Sequence, residues 1–300
     1  MSGATDNIYV RGMAYAFFAY LTVAAGDALT KEILQTHSVF YALFYTNIIM
    51  IAGLLVIAPF CGGYKALINT SKPRLHIARA FIFLGVALSF LYAISNMGIA
   101  QTYTLYLTQP FILVILAHFI TKEMIGPHRI ISIILSFLGV LVVLRPGFIP
   151  LEPAALSALL CAFLFACGNI LVKFMDKNDH WMTFVFYIML VQTPLVGLYL
   201  VFSGGFAPLY PAIDLWGWFV GAGFFYIFAL ALFPLALQRI DAAMFGALEY
   251  TVLLWGTIFG YFLFSEVPDI WTISGAGIIV ASGLYLVYRE TKAGHRIKET

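Results

Sequence analysis

From Trp181 to Ile213, and again from Leu215 to Gln238, the chain carries no charged side chain. Runs of this length either thread a very large soluble core or cross the hydrocarbon of a bilayer, which takes about 20 apolar residues per helix. Composition decides between the two. The 300 residues are 62% hydrophobic and only 10% charged, with a mean hydropathy of +0.96. A soluble domain carries roughly 25% charged residues. An integral membrane protein is the reading that fits. Helices are expected, because the runs are continuous, without alternation, and lipid admits only helices or closed barrels.

Turn residues and charges divide the chain into ten expected spans: 9–30, 38–60, 75–97, 99–121, 128–145, 153–174, 181–203, 212–236, 241–264 and 270–288. With the N-terminus placed in the cytoplasm, every Lys and Arg except Lys31 and Arg145 falls on the inner side. That bias sets orientation, so both termini are expected to be cytoplasmic. Asn69-Thr70-Ser71, a formal glycosylation sequon, then faces the cytoplasm. The N-terminal stretch has no A-x-A-like processing site, and the first span is read as retained. The net charge of +2 argues against nucleic acid as a partner. Cys61, Cys161 and Cys167 are odd in number and lie in or beside apolar runs, so no disulfide framework is expected.

The chain repeats itself. Gly26, Leu29 and Lys31 recur as Gly168, Leu171 and Lys173, a shift of 142 (168 minus 26), with Asp27 falling on Asn169. The same shift carries Phe44-Tyr45 onto Phe186-Tyr187. Leu105, Thr108 and Glu123 recur as Leu248, Thr251 and Glu266, a shift of 143 (248 minus 105). Each copy holds an odd number of spans, so the second enters the membrane upside down. The fold class expected is therefore all-α integral membrane, with ten transmembrane helices arranged as two inverted five-helix repeats, residues 1–148 and 149–300. Inverted repeats are the architecture of many secondary transporters.

Several stretches carry a family resemblance: the D-x-x-x-K of span 1 (Asp27, Lys31), TYTLYLTQPFILVILAHFITKE from 102 to 123, and FLGVLVVLRPG from 137 to 147. With the five-plus-five arrangement, they resemble bacterial EamA-type members of the drug/metabolite transporter superfamily. The spacing from Pro110 to Glu123, Gly139, and the ending Arg145-Pro146-Gly147 fit that pattern. The resemblance implies a bacterial inner-membrane location, a central cavity between spans 1–4 and 6–9, and peripheral spans 5 and 10. It also implies a small-molecule substrate, in a family that moves amino acids, nucleosides, riboflavin and S-adenosylmethionine. Two departures stand out. Related members often carry an Arg in span 2 where this chain has Phe44-Tyr45-Thr46-Asn47, and Leu253 stands where the second half would repeat Pro110.

Glu249 is the sharpest single residue. It lies about nine residues into span 9, so about 13 Å deep at 1.5 Å per residue. A carboxyl at that depth is costly, and marks proton coupling or recognition of a cationic or amine-bearing substrate. Its repeat counterpart is Tyr106. Pro110 lacks an N–H and strains against the Tyr106 carbonyl, so span 4 is expected to bend beside Thr108 and Gln109. Asp27 and Lys31 at one face of the membrane, with Asn169 and Lys173 at the other, mark gates; the plainer alternative has Asp27 neutralising Lys31 one helical turn away. Asn47, Asn96, Gln101, Tyr103, Tyr250 and Trp255 complete the candidates for a cavity lining, against the alternative of interhelical contacts. Ser132, Ser136 and Gly139 on span 5, and Ser274, Gly277 and Ala281 on span 10, form small-residue stripes for close packing.

The function expected is a secondary transporter of a small organic metabolite, an amino acid, a vitamin such as riboflavin, or an S-adenosylmethionine-like compound, working by alternating access. Protons are a candidate coupling ion, and the chain is expected to act as a monomer or homodimer in the lipid bilayer. No cofactor and no metal is expected. An intramembrane enzyme and a non-transporting receptor or scaffold are the alternatives. The chain contains no H-E-x-x-H, G-x-S-x-G or G-x-x-x-x-G-K-[ST] motif.

Overall fold

A computed structural model describes residues 2–121, 127–145, 152–176, 178–204, 215–237, 239–240, 245 and 248–298. Within them, span 1 is the helix Ser2–Leu34, span 2 Val39–Ile57, and span 3 Pro73–Asn96. Span 4 is two helices, Ile99–Tyr106 and Gln109–Thr121. Spans 5 to 8 are Pro127–Leu144, Pro153–Val172, Trp181–Ser203 and Leu215–Leu237. Span 9 contains Thr251–Phe264 and span 10 is Ile270–Lys298. Seven of these stretches are long and apolar enough to cross a membrane, and Ile130–Leu144, Thr251–Phe264 and Ile270–Leu286 are shorter apolar helices. The protein is an all-helical, multi-pass membrane protein. The expected span 9 began at residue 241; residues 241–244 and 246–247 lie outside the described residues, as do Glu123, Pro146 and Gly147.

Helix ends follow local chemistry. The Ser38 hydroxyl accepts from Tyr41 N–H at 3.2 Å and starts span 2. Pro73 and Pro153 occupy first turns, where a missing N–H costs nothing. Gly204, at φ 66°, closes span 7 in the left-handed region.

The two halves interlock. Span 1 packs most heavily against span 8, and the repeat-equivalent pair, span 6 on span 3, is the matching interface. Span 1 on span 9 is matched by span 6 on span 4, and span 2 on span 8 by span 7 on span 3. Spans 2 and 7, 4 and 9, and 5 and 10 each pack on their own equivalents. Contacts between neighbours within one half are far sparser. This exchange symmetry is that of a pseudo-twofold axis running through the centre.

The symmetry inverts the halves. Lys31, near the end of span 1, donates to the Met97 carbonyl at the end of span 3, 2.8 Å away. The Gly168 carbonyl, near the end of span 6, accepts from Arg79 Nε near the start of span 3, at 3.3 Å. Span 1 therefore ends where span 3 ends, and span 6 ends where span 3 begins. The repeated glycine has one job in both halves. A Cβ on Gly26 would lie 2.8 Å from the Tyr226 ring of span 8, and the ring of Phe83 on span 3 lies against Gly168 in the same way. Each glycine admits an aromatic from the other half.

Spans 5 and 10 form the peripheral pair. Their backbones touch at Gly139 and Gly275: a Cβ on Gly275 would lie 2.7 Å from the Gly139 carbonyl. Sequence periodicity pointed to Gly277, but open space faces that residue. The close approach runs through Gly275 instead.

Candidate functional site

The repeated Leu-x-x-Thr explains how the centre is built. Thr108 Oγ1 donates to the Leu105 carbonyl at 2.7 Å, and Thr251 Oγ1 to the Leu248 carbonyl at 2.6 Å. Each hydroxyl takes up a carbonyl where the helix is interrupted, at Leu107-Thr108 in span 4 and at Tyr250 in span 9. The expected bend in span 4 is a break at Leu107-Thr108, just ahead of Pro110. Pro110 lies in the first turn of Gln109–Thr121, where its ring is tolerated. The second half breaks at the equivalent place with Leu253 in the proline's position.

Tyr106 and Glu249 are the residues just before these two breaks. They are 143 apart in sequence, and the Tyr106 hydroxyl points at Glu249 Oε1 from 3.4 Å. Repeat-equivalent residues that touch lie on the pseudo-twofold axis, so this pair marks the centre of the molecule. Gln109 Nε2 is 3.4 Å from both Glu249 oxygens. All three contacts are long for hydrogen bonds, whose usual range ends near 3.2 Å. Glu249 also retains some accessible surface. Gln109 Oε1 and Trp255 Nε1 are enclosed and have no hydrogen-bond partner among the described residues. Tyr106, Tyr250 and Trp255 pack on one apolar cluster, and Phe17 closes on Trp255 edge-to-face at 5.2 Å.

The second buried acid is held very differently. Asp27 is 5% exposed. Tyr103 of span 4 donates to its Oδ2 at 2.5 Å, and Tyr226 of span 8 to its Oδ1 at 2.6 Å. The plainer alternative, a pairing of Asp27 with Lys31, does not form. Although they share a helical face, Lys31 reaches across to the Glu266 carboxylate and to the Met97 carbonyl, with the Phe264 ring 5.3 Å away. Glu266 Oε2 accepts the Ile99 N–H at 2.9 Å, and so caps the helix Ile99–Tyr106. One end of the bundle is closed by this cluster.

Another set of polar links closes the opposite end. Arg79 also donates to the Phe184 carbonyl at 3.3 Å and lies over the Phe83 ring at 4.1 Å. His76 Nε2 pairs with Asp179 Oδ2 at 2.9 Å. Ser71 donates to Asp176 Oδ2 at 2.6 Å; this hydroxyl, followed by the Asn178 N–H, holds the exposed Asp176 carboxyl below the usual carboxylate range. Asn169 is half-buried and makes no side-chain hydrogen bond among the described residues. Lys173 lies exposed at the end of span 6. Both ends of the bundle are thus tied by polar links between spans.

Other sequence candidates divide cleanly. Asn47 donates to Gln192 Oε1 at 3.2 Å and ties span 2 to span 7, an interhelical contact. Asn96 is exposed at the end of span 3, and its amide bonds Tyr92 O and Ser95 Oγ; it does not line the centre. Gln101 is half-buried with no side-chain hydrogen bond among the described residues. Tyr226, Glu266 and Arg79 were missed as site residues. Glu266 had a signal, since it repeats Glu123. Tyr226 has none locally, because its role depends on Gly26 of the other half.

The whole length of the chain has known counterparts. It is 26% identical over 290 residues to the S-adenosylmethionine uptake transporter of Rickettsia prowazekii, covering 95% of each chain. It is 25% identical to the riboflavin transporter of Vibrio cholerae, covering 92% of this chain and 94% of that one. It is 24% identical to the pseudopaline exporter of Pseudomonas aeruginosa, covering 94% and 97%. A solved crystal structure, 16% identical, superposes with a TM-score of 0.61 over 92% of this chain and 95% of its own; at that identity it speaks for the fold alone. The model of the EamA-like transporter family matches twice, over residues 10–145 and again over 152–289. The chain belongs to the EamA-like transporter family, with two EamA repeats in one polypeptide, and is a membrane transporter rather than an enzyme.

Proposed function

We propose that this protein is a secondary transporter for a small organic metabolite bearing an amine or other cationic group, bound at Glu249 and moved by alternating access. One observation carries this reading. Glu249 sits on the axis relating the halves, partly accessible, with contacts of only 3.4 Å to Tyr106 and Gln109. Loose contacts leave the carboxylate free to exchange them for stronger ones, since a charge-assisted hydrogen bond is shorter and about twice as strong as a neutral one. Gln109 Oε1 and Trp255 Nε1 have no partner among the described residues in the same region and offer an acceptor and a donor. An axis site is met alike by both halves, which suits a substrate handed from one face to the other. In this reading residues 1–148 and 149–300 are the exchanging units. The protein resides in a bacterial inner membrane with both termini cytoplasmic.

Flux into proteoliposomes tests the reading. Labelled S-adenosylmethionine and riboflavin, the cargoes named for similar proteins, are the first probes, followed by amino acids and polyamines. Saturable uptake of a cationic or zwitterionic compound, competed by its analogues, supports it. Binding with no flux in either direction sinks it in favour of a receptor. Orientation has its own check. A cysteine placed at the exposed position 69 should react with impermeant reagents only from the cytoplasmic side.

A further inference from the structure

The hydroxyl network around Asp27 has more contacts than protons. Four oxygen–oxygen contacts link its members. Tyr103 Oη lies 2.5 Å from Asp27 Oδ2 and Tyr226 Oη 2.6 Å from Asp27 Oδ1. Thr30 Oγ1 lies 3.2 Å from Tyr226 Oη and 2.8 Å from the Gly26 carbonyl. The three hydroxyls supply one proton each. If Asp27 is ionised, Tyr103 and Tyr226 both donate to it, Thr30 donates to Gly26, and the Tyr226–Thr30 contact holds no proton. One added proton on Asp27 Oδ1 completes the set. Asp27 then donates to Tyr226, Tyr226 to Thr30, and Thr30 to the Gly26 carbonyl, while Tyr103 still donates to Oδ2.

We propose that Asp27 is a proton-binding site, separate from Glu249, in which Tyr226, Thr30 and Gly26 form a directed chain that accepts the carboxyl proton. Among the described residues, the surroundings of the site supply no compensating cation. Span 1 contributes Lys31, committed to Glu266 just beyond span 9 and to Met97 O. Span 4 contributes Tyr103 and, one turn further, Tyr106; span 6 contributes Cys161; span 8 contributes Tyr226. Span 2 places Tyr41 and Tyr45 against Phe219 near Ile33, beyond the site, and span 3 keeps His76 and Arg79 at the opposite end of the bundle. The helix Ile99–Tyr106 joins this site to the centre, since it carries Tyr103 to Asp27 and Tyr106 to Glu249. If the proposed transport is proton-coupled, Asp27 supplies the proton and Glu249 meets the cargo.

Infrared difference spectroscopy on the purified full-length protein, titrated with acid and base alone, reads the proton directly. The stretching band of a protonated carboxyl should appear in the native protein, vanish in Asp27→Asn and survive in Glu249→Gln. Thr30→Val is the sharper variant, because it leaves both tyrosine bonds to an ionised Asp27 in place, loses the Gly26 bond in both protonation states, and removes the acceptor that Tyr226 needs once Asp27 is protonated. The protonation midpoint should move to lower pH, with proton affinity weakened about three- to tenfold, the worth of one hydrogen bond. A native spectrum with no band assignable to Asp27 overturns the proposal. So does a Thr30→Val midpoint equal to the native one. Neither result depends on flux, so loss of the transport reading and loss of this site are told apart.

Discussion

Asp27 and Glu249 are both carboxyls inside the bundle, yet the protein treats them in opposite ways. Asp27 is sealed and held by two phenols at 2.5 and 2.6 Å from the two halves. Glu249 is partly accessible, and its polar contacts among the described residues are no closer than 3.4 Å. Where bonds are short and complete, little is gained by exchanging a partner. Where they are long and incomplete, an arriving ligand gains nearly the full value of a new bond. The contrast separates a site occupied by the protein's own groups from one prepared for a guest.

The comparison can be broken most decisively through transport. Glu249→Gln keeps the shape and removes the charge. Its uptake of a cationic cargo should fall about a hundredfold, the loss of roughly 3 kcal/mol of charge-assisted bonding, with protein still folded in the membrane. Native rates in this variant would end the claim for a guest site. Stability gives the next largest effect. Asp27→Leu orphans two buried hydroxyls and should cost about 2–6 kcal/mol, lowering Tm in detergent well below that of Glu249→Leu. Equal losses would mean that the acids are not held differently. The tyrosines should follow at smaller scale: Tyr103→Phe should cost about 1–3 kcal/mol, and Tyr106→Phe about 0.5 kcal/mol or less. Thr108→Val lies between them at about 1 kcal/mol, and smallest of all is Pro110→Ala, which in a first turn should change Tm little.

Much of the architecture is written along the chain because it depends on local composition. Long apolar runs announce spans, and a constant offset between distant matches announces the repeat. Inversion follows from an odd span count. The break in span 4 is legible as Pro110. The matching break in span 9 is not, because Leu253 stands in the proline's place and the Leu-x-x-Thr shared by both breaks also fits unbroken helix. The Asp27–Lys31 spacing misled. Helical spacing shows which residues share a face but leaves their partners open: Tyr103 and Tyr226 take up both oxygens of Asp27, and Lys31 turns to Glu266, just beyond span 9. Tyr226 was invisible for the same reason. No periodicity within span 8 distinguishes the one phenol that meets Gly26 and Asp27.

The interlocking of the halves has a consequence for how the protein is made. Tyr226 is 199 residues downstream of the Asp27 it satisfies, and span 8 is the main neighbour of span 1. While the ribosome is still translating, the early helices stand in lipid with an acid and several glycine notches uncovered. Assembly has to wait for the later helices to arrive. A stalled, half-length product would be a set of unfinished surfaces, ready material for the membrane's quality-control proteases.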